Sequence, residues 1–236
     1  GAEVTRWWVS SLSYDGDIKV DLSFFSEAGD LYRKIRNTLR FIVSNLNDFE
    51  HNHDLNHIQE YLTAIDPNSI DAYALSLTQT FQNTVTEHYK QYQFRDANQA
   101  IYQFCNDTLS SFYCSSVKDR LYCDPKDSDR RQRTQYTLRY ILEVLVRSLS
   151  PILPHTCDEV LESLLGPDTN TTQGKSILRP IHLSSNSNWS LVMDTRKQVL
   201  KLLEDAKASG IENSLDAGGE LPNSIAITDF SNDLDD

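Results

Sequence analysis

LSFFSEAGDLYRKIRNTLRFIVSNL, residues 22–46, is the stretch that decides the fold class. Its apolar positions Leu22, Phe25, Ala28, Leu31, Ile35, Leu39, Ile42 and Leu46 recur at steps of mostly three and four, without the period-two alternation of a strand. That spacing predicts one long helix with a single buried stripe. Arg33, Arg36, Asn37 and Arg40 sit at i, i+3, i+4 and i+7 on another face, so the helix also carries a basic stripe. The same period extends along the chain. It predicts helices over about 70–92 (Ala74, Leu77, Phe81, Val85 and Tyr89 inward), 94–121 (Ala97, Ile101, Phe104, Thr108, Phe112 and Val117 inward) and 128–149 (Leu138, Ile141, Leu145 and Leu149 inward).

The punctuation between these runs is proline and polar residues. Asp66-Pro67-Asn68 and Asp124-Pro125-Lys126-Asp127 break the chain, and Pro151 and Pro154 lack the N–H that a helix interior needs. Thr156 and Glu159 match a capping box for a short helix that runs to Leu165 and stops at Gly166-Pro167. A last helix is expected over about 190–208, with Gly210 as its stop. Residues 1–20 are mixed, with aromatic and β-branched residues at 7–9 and a turn at Asp15-Gly16, and residues 48–54 read as a polar loop. Residues 168–188 read as a surface excursion with one extended piece at 181–183. The expected architecture is all-α: an antiparallel helical bundle over 21–210 with a small irregular C-terminal extension. Residues 1–20 would be a connecting segment, and 211–236 an acidic connection to a further region.

Only 8 Gly and 7 Pro occur, too few for the many turns of an all-β chain of 236 residues. No apolar run approaches the ~20 residues that cross a bilayer, and the start lacks the features of a secretion signal, so a cytoplasmic address is expected. The four cysteines, Cys105, Cys114, Cys123 and Cys157, form no C-x-x-C pair and read as buried reduced thiols. Three of the six His (His51, His53 and His57) share one polar stretch, which reads as a solvated loop rather than a metal site. No phosphate-binding glycine loop, G-x-S-x-G or H-E-x-x-H string is present, so no catalytic residue is assigned.

The net charge of −12 opposes nucleic-acid binding only until it is located. Residues 204–236 hold nine acids and one base, while residues 118–147 hold eight bases and five acids. Phosphate binding responds to the potential within a Debye length of about 8–10 Å, not to the whole-chain sum.

The segment Asp107-Thr108-Leu109-Ser110-Ser111-Phe112-Tyr113, followed by Val117-Lys118-Asp119-Arg120-Leu121-Tyr122, resembles the anticodon-binding domain of isoleucyl-tRNA synthetases, a class I family. Residues 32–41, the opening through Trp8 with Asp15-Gly16-Asp17-Ile18, and Pro151 to Thr156 are similar to the same family. The likeness covers about 1–165, and more weakly 189–217. It implies a domain that grips the anticodon stem-loop of isoleucine tRNA, beside catalytic and editing domains of one polypeptide that lie outside this segment. It implies no cofactor in the segment: the parent enzyme uses ATP and Mg²⁺, and any zinc lies in other regions. Membrane and DNA are not expected partners. The Thr/Asn-rich stretch 168–188 and the acidic end depart from the family pattern.

Such a domain reads unstacked bases by stacking and edge hydrogen bonds while Arg and Lys hold phosphates. The phosphate candidates are Arg33, Arg36 and Arg40, the cluster Arg130, Arg131 and Arg133, and, within residues 1–20, which the resemblance makes a stem-contact and connecting segment, Arg6 and Lys19. The competing expectations are ion pairs with neighbouring helices for the first group and plain solvated charge for the second. Trp7, Trp8, Tyr113 and Tyr122 could stack on bases, though core packing is the commoner role for each. The alternative function is a helical scaffold that binds protein and no RNA. A 34-residue repeat, the sign of a solenoid, is missing.

Overall fold

The computed structural model describes residues 1–18, 20–51, 54–166 and 188–208, and among these every regular element is helical. The expected extended piece at 181–183, the rest of the 168–188 excursion save Asn188, and the acidic end lie outside the described residues. The chain divides into two units, Gly1–Ser185 and Asn186–Asp236.

The first unit opens with α1 (Ala2–Ser10), where the sequence suggested an irregular start. Val4, Trp7 and Trp8 are spaced for a helix face: Trp7 is buried, and Trp8 packs on Phe25 with ring centroids 4.6 Å apart. The carbonyls at its C-terminal end need partners. Buried Asn98 supplies one, donating from Nδ2 to the Trp7 carbonyl at 3.1 Å and to Ser10 Oγ at 2.9 Å.

α2 (Leu22–Asn45) starts at Asp21, whose carboxylate accepts from Ser23 N at 2.8 Å. Hydrogen bonds from the Ser23 hydroxyl and N–H hold that carboxyl below the usual carboxylate range. Ala28, Ile35, Leu39, Ile42 and Leu46 form the expected stripe. Leu22 does not join it: it lies in the first turn and is 86% exposed.

α3 (Leu55–Thr63) falls where no helix was expected. Asp54 caps it by accepting from His57 N at 2.9 Å, and Ile58 and Leu62 are fully buried. α4 (Ile70–Lys90) is capped by Ser69 Oγ, which accepts from Ala72 N at 3.1 Å. It packs against the later helices Asp129–Leu149 on one side and Phe94–Gln103, with its π-helical continuation, on the other. It so buries two adjoining lines, including Ala72, Ala74, Leu75, Thr78, Phe81 and Val85, with Leu77 only half-buried. It ends in a Schellman arrangement: Gln93 N donates to His88 O at 2.8 Å, Tyr92 N to Tyr89 O at 3.1 Å. Tyr92 takes the left-handed φ of 58° that such an ending demands and that glycine usually supplies.

α5 (Phe94–Gln103) runs on into ten π-helical residues, Phe104–Tyr113, and then into the short helices α6 (Cys114–Ser116) and α7 (Lys118–Tyr122). The expectation of one regular helix here needs correcting. Wider i→i+5 turns shift the inward register, so Leu109 is fully buried and Thr108 is not. Phe104 stacks on Phe81 of α4, centroids 4.1 Å apart.

α8 (Asp129–Leu149) is the centre of the bundle. The residues expected inward are buried, but so is nearly every position from Thr134 to Leu149, because α2, α3, α4, α5, α7 and α9 all pack on it. Its interior charges pair within the helix: Arg139 (2% exposed) donates from Nη1 to Glu143 Oε2 at 3.1 Å, and Arg147 Nε lies 3.7 Å from Glu143 Oε1. Burial pushes the Arg139 guanidinium down from its ordinary value and the adjacent Glu143 carboxylate opposes that shift.

α9 (Pro154–Leu165) begins three residues earlier than the capping box implied, with Leu153 in place of Thr156 as its cap position. Pro154 occupies the first helical position, where a missing N–H costs nothing. Thr156 is therefore inside the helix, and its hydroxyl meets Tyr32 Oη at 2.9 Å and Glu3 Oε2 at 3.0 Å, tying α9 to α2 and α1. Gly166, with φ of 85°, ends it. In the second unit, α10 (Trp189–Ala208) shows Leu191, Leu200 and Leu202 substantially exposed.

Cys105, Cys114 and Cys157 are buried free thiols, each pushed up to about 12 by desolvation. Cys123 departs from the expectation and is exposed, because it lies beyond the last turn of α7. A thiol reagent at pH 8 is therefore expected to label one cysteine rapidly in the folded protein and four in denaturant. Rapid labelling of more than one in the native state would contradict this packing.

Candidate nucleic-acid interface

The basic stripe of α2 faces solvent beside α9. Arg33 pairs with Asp30 one turn back and Arg36 with Glu159 of α9, and both pairs are more than half exposed. Arg40 is exposed and has no ion pair among the described residues. With Asn37, Ser44, Thr156, Glu159 and Ser163, Arg36 and Arg40 line a cleft of about 450 Å³ between the two helices. Exposed pairs of this kind contribute about 0–1 kcal/mol, so breaking them costs little. Beside the stripe, Lys34 Nζ donates to Tyr102 Oη at 2.9 Å.

The cluster at the start of α8 is arranged differently, because acids from distant elements reach it. Arg130 makes a two-point contact with Asp124, Nε to Oδ2 at 2.9 Å and Nη2 to Oδ1 at 2.7 Å, and hydrogen bonding from Arg130 holds that carboxyl below the usual range. Arg131 donates to Asp48 Oδ2 at 2.7 Å and to the Asp124 carbonyl at 3.0 Å, and little of its side chain reaches water. Arg133 donates from Nε to Asp71 Oδ2 at 3.0 Å. Asp71 is completely buried and also accepts from Arg120 Nη1 at 2.9 Å and Tyr113 Oη at 2.6 Å. The excess of bases read between 118 and 147 is thus offset by Asp48 and Asp71 from outside that window.

Arg6 is exposed on α1 with no ion pair among the described residues. It borders an apolar recess of about 530 Å³ lined by Val9, Tyr14, Ile18, Phe94 and Ile152 among others. Lys19 lies outside the described residues. Of the four aromatic candidates, Trp7 and Tyr113 are core, Trp8 is packed on Phe25, and Tyr122 is 63% exposed.

The reading of the histidine stretch as a solvated loop needs correction for two of its members. His51 and His57 pack into an aromatic cluster with Phe49, Tyr61 and Tyr136. Tyr61 and Tyr136 stack at 3.9 Å, and His57 Nε2 meets Tyr136 Oη at 2.8 Å. His53 lies outside the described residues, and among those described no group of three His, Cys, Asp or Glu is placed to hold a metal ion. The sequence reading missed Asp71 and Arg120. Asp71, two positions after a capping serine, looks like an ordinary first-turn acid.

Residues 71–219 match the family described as the anticodon-binding domain of tRNA ligase. The chain is 36% identical over 212 residues to an isoleucine–tRNA ligase of Halalkalibacterium halodurans, covering 88% of this chain and 22% of that protein. It is 34% identical over 227 residues to the isoleucine–tRNA ligase of Desulfotalea psychrophila (92% and 24%). It is 32% identical over 241 residues to that of Paraburkholderia xenovorans (100% and 25%). The chain therefore spans roughly a quarter of the length of these relatives.

Proposed function

We propose, since this chain belongs to the family of anticodon-binding domains of tRNA ligases, that it binds the anticodon stem-loop of isoleucine tRNA and supplies recognition to a larger isoleucine–tRNA ligase. The observation that carries the reading within the structure is the α2–α9 cleft, where Arg36 and Arg40 stand in solvent with exchangeable or no ion pairs. Arg40 is the first phosphate contact in this reading. Arg33 and Arg36 join it by releasing Asp30 and Glu159, and Arg130 by releasing Asp124. Activation of isoleucine with ATP and Mg²⁺ belongs to the rest of such an enzyme. Its catalytic and editing domains are the partners proposed for the apolar recess beside Arg6.

Arg40→Ala is expected to weaken binding of an isoleucine tRNA stem-loop about three- to tenfold, and to lower the slope of log K against log salt by about 1. Adding Glu159→Gln to the otherwise natural chain is expected to strengthen binding, since it frees Arg36. Unchanged affinity and slope in both variants would remove the cleft from the interface.

A further inference from the structure

The Asp71 network does more than close the bundle. Two guanidinium groups share one carboxylate oxygen, so they stand side by side, and Tyr113 Oη occupies the other oxygen. Arginine carries five N–H donors in a fixed fork. Arg120 and Arg133 each use one of them on Asp71, and no other hydrogen bond of theirs occurs among the described residues. Their side chains are 20% and 31% exposed, and none of their nitrogens is buried without a partner, so the spare donors reach water.

The surrounding charges have to be counted before assigning a ligand. Asp129, in the first turn of α8, is exposed and, like Arg133 and Asp71, acts on the Tyr61 hydroxyl. Asp124 acts on Arg120 but is already engaged by Arg130. At a distance the patch carries a slight negative excess: Arg120, Arg130 and Arg133 stand against Asp71, Asp124, Asp129 and the exposed Asp119, which acts on Arg130. What remains is directional: two preoriented forks whose ordering cost has been met within the fold. Paired forks of this kind suit a phosphate, which accepts from several N–H groups at once. The half-buried Tyr61 ring, with Tyr136 stacked on one side, lies within reach of the same charges.

We propose that Arg120 and Arg133 form a second phosphate-binding site for RNA backbone, separate from the α2–α9 cleft, with Asp71 as the positioning residue that holds both forks outward. The proposal rests on the RNA-binding reading above. Single variants keep one guanidinium on Asp71 and so keep the fold, which circular dichroism and thermal melting verify. In titrations of the 236-residue chain with an isoleucine tRNA transcript, Arg120→Gln and Arg133→Gln are each expected to weaken binding about three- to tenfold and to lower the salt slope by about 1. Arg133→Lys, which keeps the charge and loses the fork, should recover the slope but only part of the affinity. Asp129→Asn, which leaves the network intact, should tighten binding about twofold by removing an opposing charge. Affinity and slope unchanged in all four variants, while Arg40→Ala weakens binding, would overturn this site and leave the first reading standing. No binding by the natural chain would end both.

Discussion

Asp71→Ala is expected to cost about 3–5 kcal/mol of folding free energy, read as a lower urea midpoint with an unchanged slope. The carboxylate is completely out of water and joins α4 to the π-helical segment, α7 and α8 through Tyr113, Arg120 and Arg133. Removing it leaves two adjacent like charges and takes the Asp71 acceptor from a buried hydroxyl, which keeps only its contact with the Thr137 side chain. Asp71→Asn should fall between, because the amide still accepts hydrogen bonds but no longer offsets the two positive charges. A loss below about 1 kcal/mol for the alanine variant would mean that the two arginines turn outward and are solvated at no cost.

Glu143→Ala should be of similar size, about 3–5 kcal/mol, for a related reason. Arg139 is nearly inaccessible, and Glu143 is the carboxylate bonded to it. The informative comparison is the double variant Arg139→Met with Glu143→Leu. It removes both charges and keeps the volume, so it should lie within about 1–2 kcal/mol of the natural chain even though the single change is severe. Arg147, whose side chain is about one-third exposed, then turns to solvent. Equal losses in the single and double variants would show that the pair contributes through packing rather than by compensating a buried charge.

Burial of charge on the scale of these two networks also limits how much of the fold is legible from residue spacing. α2 was legible because one side meets water, so its apolar stripe and basic stripe separate at the helical period. α8 was legible as a helix but not as the central one. Burial on all sides erases amphipathicity, and Arg139 and Glu143 look like a solvated face until they are seen bonded to each other. α3 was overlooked because a nine-residue helix behind polar residues offers little periodicity, although Asp54, Ile58 and Leu62 carried the signal. The π-helical turns could not be read, since they change the register without changing which residue types recur.

The candidate arginines were visible as residue types, whereas their partners were not. Asp71 lies 62 positions from Arg133, Asp48 lies 83 from Arg131, and Glu159 lies 123 from Arg36. Local spacing cannot reveal acids that only tertiary packing brings near. Arg40 and Arg133 differ for that reason alone: one stands exposed on a helix face with no ion pair among the described residues, the other is fixed against a buried carboxylate.

Whether this bundle holds RNA through a few arginines is decided by titrating the 236-residue chain with isoleucine tRNA and with a non-cognate tRNA over a range of salt concentrations. Isoleucine tRNA is expected to bind more tightly, with a log–log salt slope of about −2 to −4, as a few phosphate contacts give. Binding that is equal for both RNAs and indifferent to salt, or no binding at low salt, would contradict that mode of binding.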